Sequence, residues 1–152
     1  NVKGYAADVR SEKSIAKAVA KLTYAFANAN VPKVNVITGE AYGSAYVTMN
    51  SKALGADVTY AWPDASIGMM DANEAAKIMY ADDIAKSADV QSVISEKAAE
   101  YAALQSGVES AAARGYVDTI INPEDTRKYV AAAFEMLYTK REDRPDKKHG
   151  TV

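Results

Sequence analysis

Four short runs of strand-forming residues, none longer than five, are spaced between alanine-rich stretches of helical period. That alternation constrains the fold more than any other feature, because strands interleaved with helices point to α/β layers. Val34, Val36 and Ile37 form a β-branched run bounded by Pro32 and Gly39. Val58, Tyr60 and Trp62 alternate with Thr59 and Ala61 in a second run ended by Pro63. Ile67 to Met70 and Val117 to Ile121 read as the third and fourth. Between them, Ile15, Val19, Leu22 and Phe26 recur on one helical face, with Ser11 expected as the N-cap. That helix should stop near Asn28 to Asn30, since Pro32 disfavours helical backbone just before it. Tyr46 to Lys52 reads as a short helix closed near Gly55. Asn73 to Tyr80 and Val90 to Leu104 read as helices separated by the acidic stretch from Ala81 to Asp89. Pro123 should open the last helix, with Tyr129, Ala133, Met136 and Leu137 toward the core. From Lys140 onward the chain is charged, broken by Pro145 and expected to run extended over the surface.

A length of 152 residues suits one domain, and a chain of that size buries about 70% of its unfolded surface without a staple. With no cysteine, disulfides and thiolate metal sites are excluded and a reducing, cytoplasmic setting is expected. A net charge of −2 argues against nucleic acid as a partner. No apolar run approaches the ~20 residues that span a bilayer. The first residues carry no signal-peptide pattern and no initiator methionine, so the chain is read as a piece of a longer protein.

Chemistry concentrates in Gly39 to Pro63, where Gly43, Ser44 and Ala45 crowd a strand-to-helix turn. A nucleophile elbow would need glycine two residues either side of Ser44, and those positions are Tyr42 and Tyr46. The only histidine, His149, lies in the tail, which leaves a Ser44 hydroxyl without a base. The other reading is that the backbone amides of residues 44 and 45 stabilise negative charge, against the plainer one of small residues packing strand on helix. Asp82/Asp83 and Glu124/Asp125 are carboxylate pairs more simply explained as solvated helix-start charges than as metal ligands. Trp62 and the Met69–Met70 pair read as core.

The order of motifs then resembles the carboxyltransferase component of biotin-dependent acyl-CoA carboxylases and decarboxylases, in its C-terminal half. The resemblance rests on Tyr24 to Lys33, Val34 to Ile37, the A-Y-G-S-A-Y of Ala41 to Tyr46, Met49 to Lys52, Ala61 to Pro63, and Ala111 to Arg127. It implies a crotonase-type spiral of stacked ββα turns. The family's N-terminal half, which carries most acyl-CoA contacts, would be a separate stretch. The resemblance further implies that backbone amides at Ser44 and Ala45 hold the ureido oxygen of biotin as negative charge develops there. The α-proton then needs no side-chain base. It also implies that Gly43, Val47, Gly4 and Tyr5 line the substrate site. Ser44 stands where the family has glycine, so it must adopt ordinary helix-start dihedrals. Val47 replaces an often acidic residue, "NVKGYA" replaces a D-V-P-G-F loop, and Asp71 stands where glycine is common. These departures suggest a branch nearer the decarboxylase α subunits.

The resemblance implies biotin on a partner carrier protein, an acyl-CoA substrate, the N-terminal half, a dimer or trimer of dimers, and in one branch a membrane decarboxylase subunit as partners. Residues 1–139 are expected to form the carboxyltransferase unit and 140–152 the tail, and the chain alone should fold without turning over. The alternative is a non-catalytic module that keeps the fold only for assembly.

Overall fold

Along β1 (Val34–Ile37), the period-two alternation of side chains sends Val34 and Val36 to one face and Asn35 and Ile37 to the other. In the computed structural model, which describes residues 1–6, 8–147 and 150, this alternation separates two apolar clusters. Upstream of β1 lie α1 (Val9–Glu12) and α2 (Ile15–Asn28). After it come β2 (Glu40–Tyr42), α3 (Gly43–Thr48), β3 (Val58–Ala61), β4 (Ser66–Gly68), α4 (Ala72–Met79), α5 (Ala81–Lys86) and α6 (Val90–Tyr101). The series ends with α7 (Val108–Ala113), β5 (Thr119–Ile120) and α8 (Thr126–Met136).

Two parallel sheets result. One has the order β1-β3-β5, with Val34 opposite Val58 and Tyr60 opposite Thr119; the other pairs β2 with β4, Glu40 opposite Ser66. Successive strand-strand-helix units therefore stack as turns of a spiral. One cluster gathers Ile37, Tyr46, Ala61, Ile67, Val108 and Ala111. Burying Ile37 and Ile67 contributes about 1.5–3 kcal/mol each, and the alanines let backbone layers approach. On the opposite face Tyr60, Ile121 and Ala133 seat α8, flanked by Val34, Val36 and Trp62. The Tyr60 and Tyr129 rings meet edge-on at 5.6 Å, and the Trp62 indole N–H donates to Thr126 Oγ1 at 2.9 Å.

Several sequence expectations need correction. Ser11 does not cap a helix: Asp8 caps α1, accepting the Arg10 and Ser11 amides at 2.9 Å, and the Ser11 hydroxyl also donates to it. The helix expected to start at Ser11, α2, begins at Ile15 with Ser14 in its N-cap position, while Ser11 lies inside α1. The helix expected from Tyr46 to Lys52 starts earlier, at Gly43, and stops at Thr48, because Asn50 turns left-handed (φ 58°). The Asn35 side-chain amide donates to the Asn50 carbonyl at 2.9 Å and holds that turn. The third strand is Ser66–Gly68, so Met69 and Met70 lie outside it, and Met69 is 73% exposed rather than core. The acidic separator contains α5, with Asp82 and Asp83 in its first turn, where the dipole favours them. Val90 to Leu104 is helical only to Tyr101, after which Ala102–Ser106 forms a π-helical turn. The fourth strand shrinks to Thr119–Ile120, and Pro123 opens a short 3₁₀ turn ahead of α8. Of the residues assigned to the core face of α8, Ala133 is buried, whereas Met136 is 69% exposed. Leu22 on α2 is likewise exposed.

Residues 140–147 hold no helix or strand, yet Lys140 is tied down. Its ammonium donates to both Asp57 oxygens, at 2.8 and 2.9 Å, and Asp57 also accepts the Lys33 amide at 2.7 Å. Burial alone would raise the Asp57 carboxyl, but the hydrogen bonds from Lys140 and Lys33 and their positive charges hold it below its ordinary value. Lys140 is raised, chiefly by its bond to Asp57. Lys140→Met is expected to cost about 1.5–3 kcal/mol at neutral pH, the scale of a hydrogen bond to a charged group, read from urea unfolding. Because the Asp57 value is depressed on folding, its stabilisation is present above the unfolded value near 4 and lost as pH falls through the folded one. Lys140, raised, contributes below its unfolded value near 10.4 and loses that contribution as pH rises through the folded one. The difference between wild type and variant should therefore vanish at both extremes. A constant difference across the whole range would remove the ion pair as its cause.

Candidate functional site

Backbone pairing first brings two distant stretches together. The Val2 amide donates to the Glu40 carbonyl at 2.6 Å and the Tyr42 amide to the Val2 carbonyl at 2.9 Å. Val2 thus bridges to Ala41 of β2, and Lys3 pairs with Glu40 at 2.6 Å. This places Gly4 and Tyr5 beside the junction of β2 and α3.

At that junction Tyr42 is still extended (φ −120°, ψ 140°) and Gly43 reverses the chain with φ 61°. A Cβ on Gly43 would meet the Met69 carbonyl oxygen at 2.9 Å, so both backbone conformation and space call for glycine. Ser44 and Ala45 follow in the first helical turn, where amides lack an intrahelical acceptor. Ser44 has no positive φ; it occupies ordinary helical backbone, and glycine is not required there. Ser44 is exposed, while Ala45 is buried, 4% exposed as a residue. Among the described residues no hydrogen bond joins the Ser44 hydroxyl to a base; its carbonyl accepts the Thr48 hydroxyl at 2.8 Å. His149 lies outside the described residues.

Gly4, Tyr5, Gly43, Ser44 and Ala45 line one cavity of about 280 Å³, with Lys3 among its walls. Asp71 also borders it and caps α4, accepting the Asn73 amide at 2.9 Å, which explains an aspartate at that position. Val47, 38% exposed, lies instead in an adjoining cavity of about 270 Å³ that shares Gly43 and Met69 with the first. Ile67 and Ala111 give the second cavity apolar walls, and Tyr46, Tyr116 and Arg114 give it polar ones. Burial raises the Tyr46 phenol, reinforced by Tyr116, so at neutral pH it is a neutral hydroxyl. The Arg114 guanidinium donates to Gln105 Oε1 at 3.2 Å.

Five of the six site residues expected from sequence therefore share one cavity, and the sixth lines its neighbour. Tyr101, Gln105 and Met69 were missed. Met69 reads as core filler from composition; Tyr101 ends α6, and the π-helical turn that follows it carries Gln105 to the cavity wall, such turns recurring at functional sites. Glu124 and Asp125 follow Pro123 in the 3₁₀ turn before α8, as helix-start charges do.

A family model described as the carboxyl transferase domain matches residues 1–152. The chain is 48% identical to a propionyl-CoA carboxylase beta chain of Saccharopolyspora erythraea, covering 88% of this chain and 25% of that one. It is 45% identical to a methylmalonyl-CoA decarboxylase subunit alpha of Propionigenium modestum, covering 88% and 26%. Those two identities give no preference to the decarboxylase branch. In structure it resembles the transcarboxylase 12S hexamer solved with methylmalonyl-coenzyme A and methylmalonic acid bound, with a TM-score of 0.92, 42% identity, and coverage of 99% and 29%. The chain thus spans between a quarter and a third of the length of these relatives.

Proposed function

The chain belongs to the carboxyl transferase domain family, with its crotonase-type α/β fold, and from this we propose that it is the biotin-facing half of an acyl-CoA carboxyltransferase. The supporting observation is the single cavity that gathers Gly4, Tyr5, Gly43, Ser44 and Ala45 from stretches about forty residues apart. Its donor set fits a neutral ring that gains charge on one oxygen. Backbone amides supply hydrogen bonds without a fixed charge, and no large side chain stands at 43, 44 or 45. Biotin, when bound, carries the transferred carboxyl group and takes up negative charge on its ureido oxygen.

In this reading the amides of Ser44 and Ala45 hold that oxygen where charge develops, preorganised by the Gly43 reversal. The loop at Gly4 and Tyr5 closes the side of the cavity. The adjoining cavity takes the acyl chain, with Val47 on its wall. Residues 1–139 form the carboxyltransferase unit and 140–152 its tail. The protein works in the cytoplasm as a homo-oligomer, with the N-terminal half completing the acyl-CoA site and a biotin carrier protein delivering the group. Propionyl-, methylmalonyl- or a related short acyl-CoA is the substrate class, and a membrane decarboxylase subunit is a further partner if the direction is decarboxylation.

Blocking the carrier's biotin with avidin tests the whole reading: turnover of the full-length complex should stop. Unaffected turnover would favour an enzyme acting on acyl-CoA alone, and no turnover under any condition the assembly module. A narrower expectation concerns Val47→Asp, which should shift relative kcat/KM among acyl-CoAs of different chain length. One methylene in an apolar pocket is worth ~1–3 kcal/mol, so changes of roughly tens of fold set the scale. An unchanged substrate profile would remove Val47 from the acyl wall.

A further inference from the structure

The peptide joining Ser44 to Ala45 carries the Ser44 carbonyl and the Ala45 N–H on one rigid plane. Whatever binds the carbonyl therefore acts on the N–H. The Thr48 hydroxyl sits 2.8 Å from the Ser44 carbonyl oxygen, which can only accept. A hydroxyl has one proton, and Thr48 spends it there. Its 3.2 Å contact with the Tyr5 hydroxyl is therefore donated by Tyr5. Thr48 is 7% exposed, whereas Tyr5 is 42% exposed and lines the same cavity as Ala45. A directional chain results: Tyr5 O–H to Thr48 O–H to the Ser44 carbonyl.

We propose that Tyr5 and Thr48 are positioning residues that polarise and orient the Ser44–Ala45 peptide, making the Ala45 amide a stronger donor toward the oxygen it holds. The proposal rests on the reading of Ala45 as an amide donor and goes beyond it. Hydrogen bonds in series strengthen one another in a low-dielectric interior. As charge grows on the bound oxygen, electron density moves through the peptide toward the Ser44 carbonyl oxygen, where the Thr48 proton meets it. A threonine bonding back to the carbonyl four residues earlier is common in helices and by itself means little. Here its oxygen is occupied from outside the helix, by a residue 43 positions away that borders the cavity.

Thr48→Val, which keeps the shape and removes the hydroxyl, tests this in the full-length enzyme. A strengthening of about 10–30% per bond, acting on a donor worth about 10²–10³ in rate, amounts to roughly two- to eightfold in kcat. The acyl-CoA KM should stay unchanged, Thr48→Ser should restore the rate, and Tyr5→Phe should cost less than Thr48→Val. Tyr5→Phe should add nothing in the Thr48→Val background, because the chain is already cut. Free biotin, titrated as the probe, should bind more weakly to Thr48→Val and normally to Thr48→Ser, with acyl-CoA binding unchanged in both. Full kcat and biotin affinity in a normally melting Thr48→Val enzyme would overturn the relay, as would additive losses in the double variant. If Thr48→Val does not fold, a Tyr5→Phe enzyme with undiminished kcat and biotin affinity overturns it equally. Removing the Ala45 N–H separates the two levels. Loss of activity there beside a neutral Thr48→Val sinks only the relay, whereas retained activity sinks the amide reading beneath it.

Discussion

Replacing the amide between Ser44 and Ala45 with an ester, so that lactate stands where alanine does, is expected to lower kcat of the full-length enzyme by about 10²–10³. The substitution removes one N–H and leaves the methyl of this buried residue in place. Proline at 45 would remove the same N–H, but its larger ring must enter that buried space and it disfavours helical backbone at Ser44. The ester is therefore the cleaner experiment. It also weakens the Ser44 carbonyl as acceptor for the Thr48 hydroxyl, so a melting curve near wild type is the necessary control. Ser44→Ala keeps its amide and should retain most activity. A serine nucleophile predicts the reverse order, with Ser44→Ala dead and the ester variant active. A dead Ser44→Ala enzyme with an intact fold would falsify the amide reading.

The strands legible in the sequence were those whose residues announce them. β1 and β3 are β-branched or aromatic runs closed by proline or glycine, and both sit where the pattern placed them. β2 carries Glu40, Ala41 and Tyr42, which have no shared preference for a strand. It exists because β4 and Val2 supply hydrogen-bonding partners on its two sides, a tertiary cause invisible to a local pattern. Met69 was misread for a related reason: its hydrophobicity suggested burial, but its place is the shared rim of two cavities. The Gly43–Ala45 turn could be singled out from its small residues. Its union with Gly4 and Tyr5 could not, since it depends on the Val2 pairing along β2; only the motif resemblance joined them. Asp71 followed the same logic in reverse, a departure from the family pattern that the structure turns into a helix cap.

Gly43→Ala is expected to reduce both stability and turnover. The residue sits at φ 61°, a conformation that costs an L-residue with a Cβ roughly 1–2 kcal/mol. The new methyl would also stand 2.9 Å from the Met69 carbonyl oxygen. That atom belongs to backbone just beyond β4, which is itself paired with β2, so it cannot swing aside as a flexible side chain would. The combined cost should reach about 1–3 kcal/mol, the range for enforced backbone strain, read as a lower midpoint in urea. Relief by rotating Gly43 would turn the first helical turn and move the Ser44 and Ala45 amides, and displacements near 1 Å can cost on the order of 10² in rate. Gly43→Asn divides the two causes, because asparagine tolerates left-handed backbone but carries the same Cβ. Asparagine should recover much of the stability if the left-handed backbone is the main cause, and little of stability or activity if the Met69 contact dominates. If alanine at 43 left both stability and turnover at wild-type values, the chain reversal at Gly43 could not be what positions the amides.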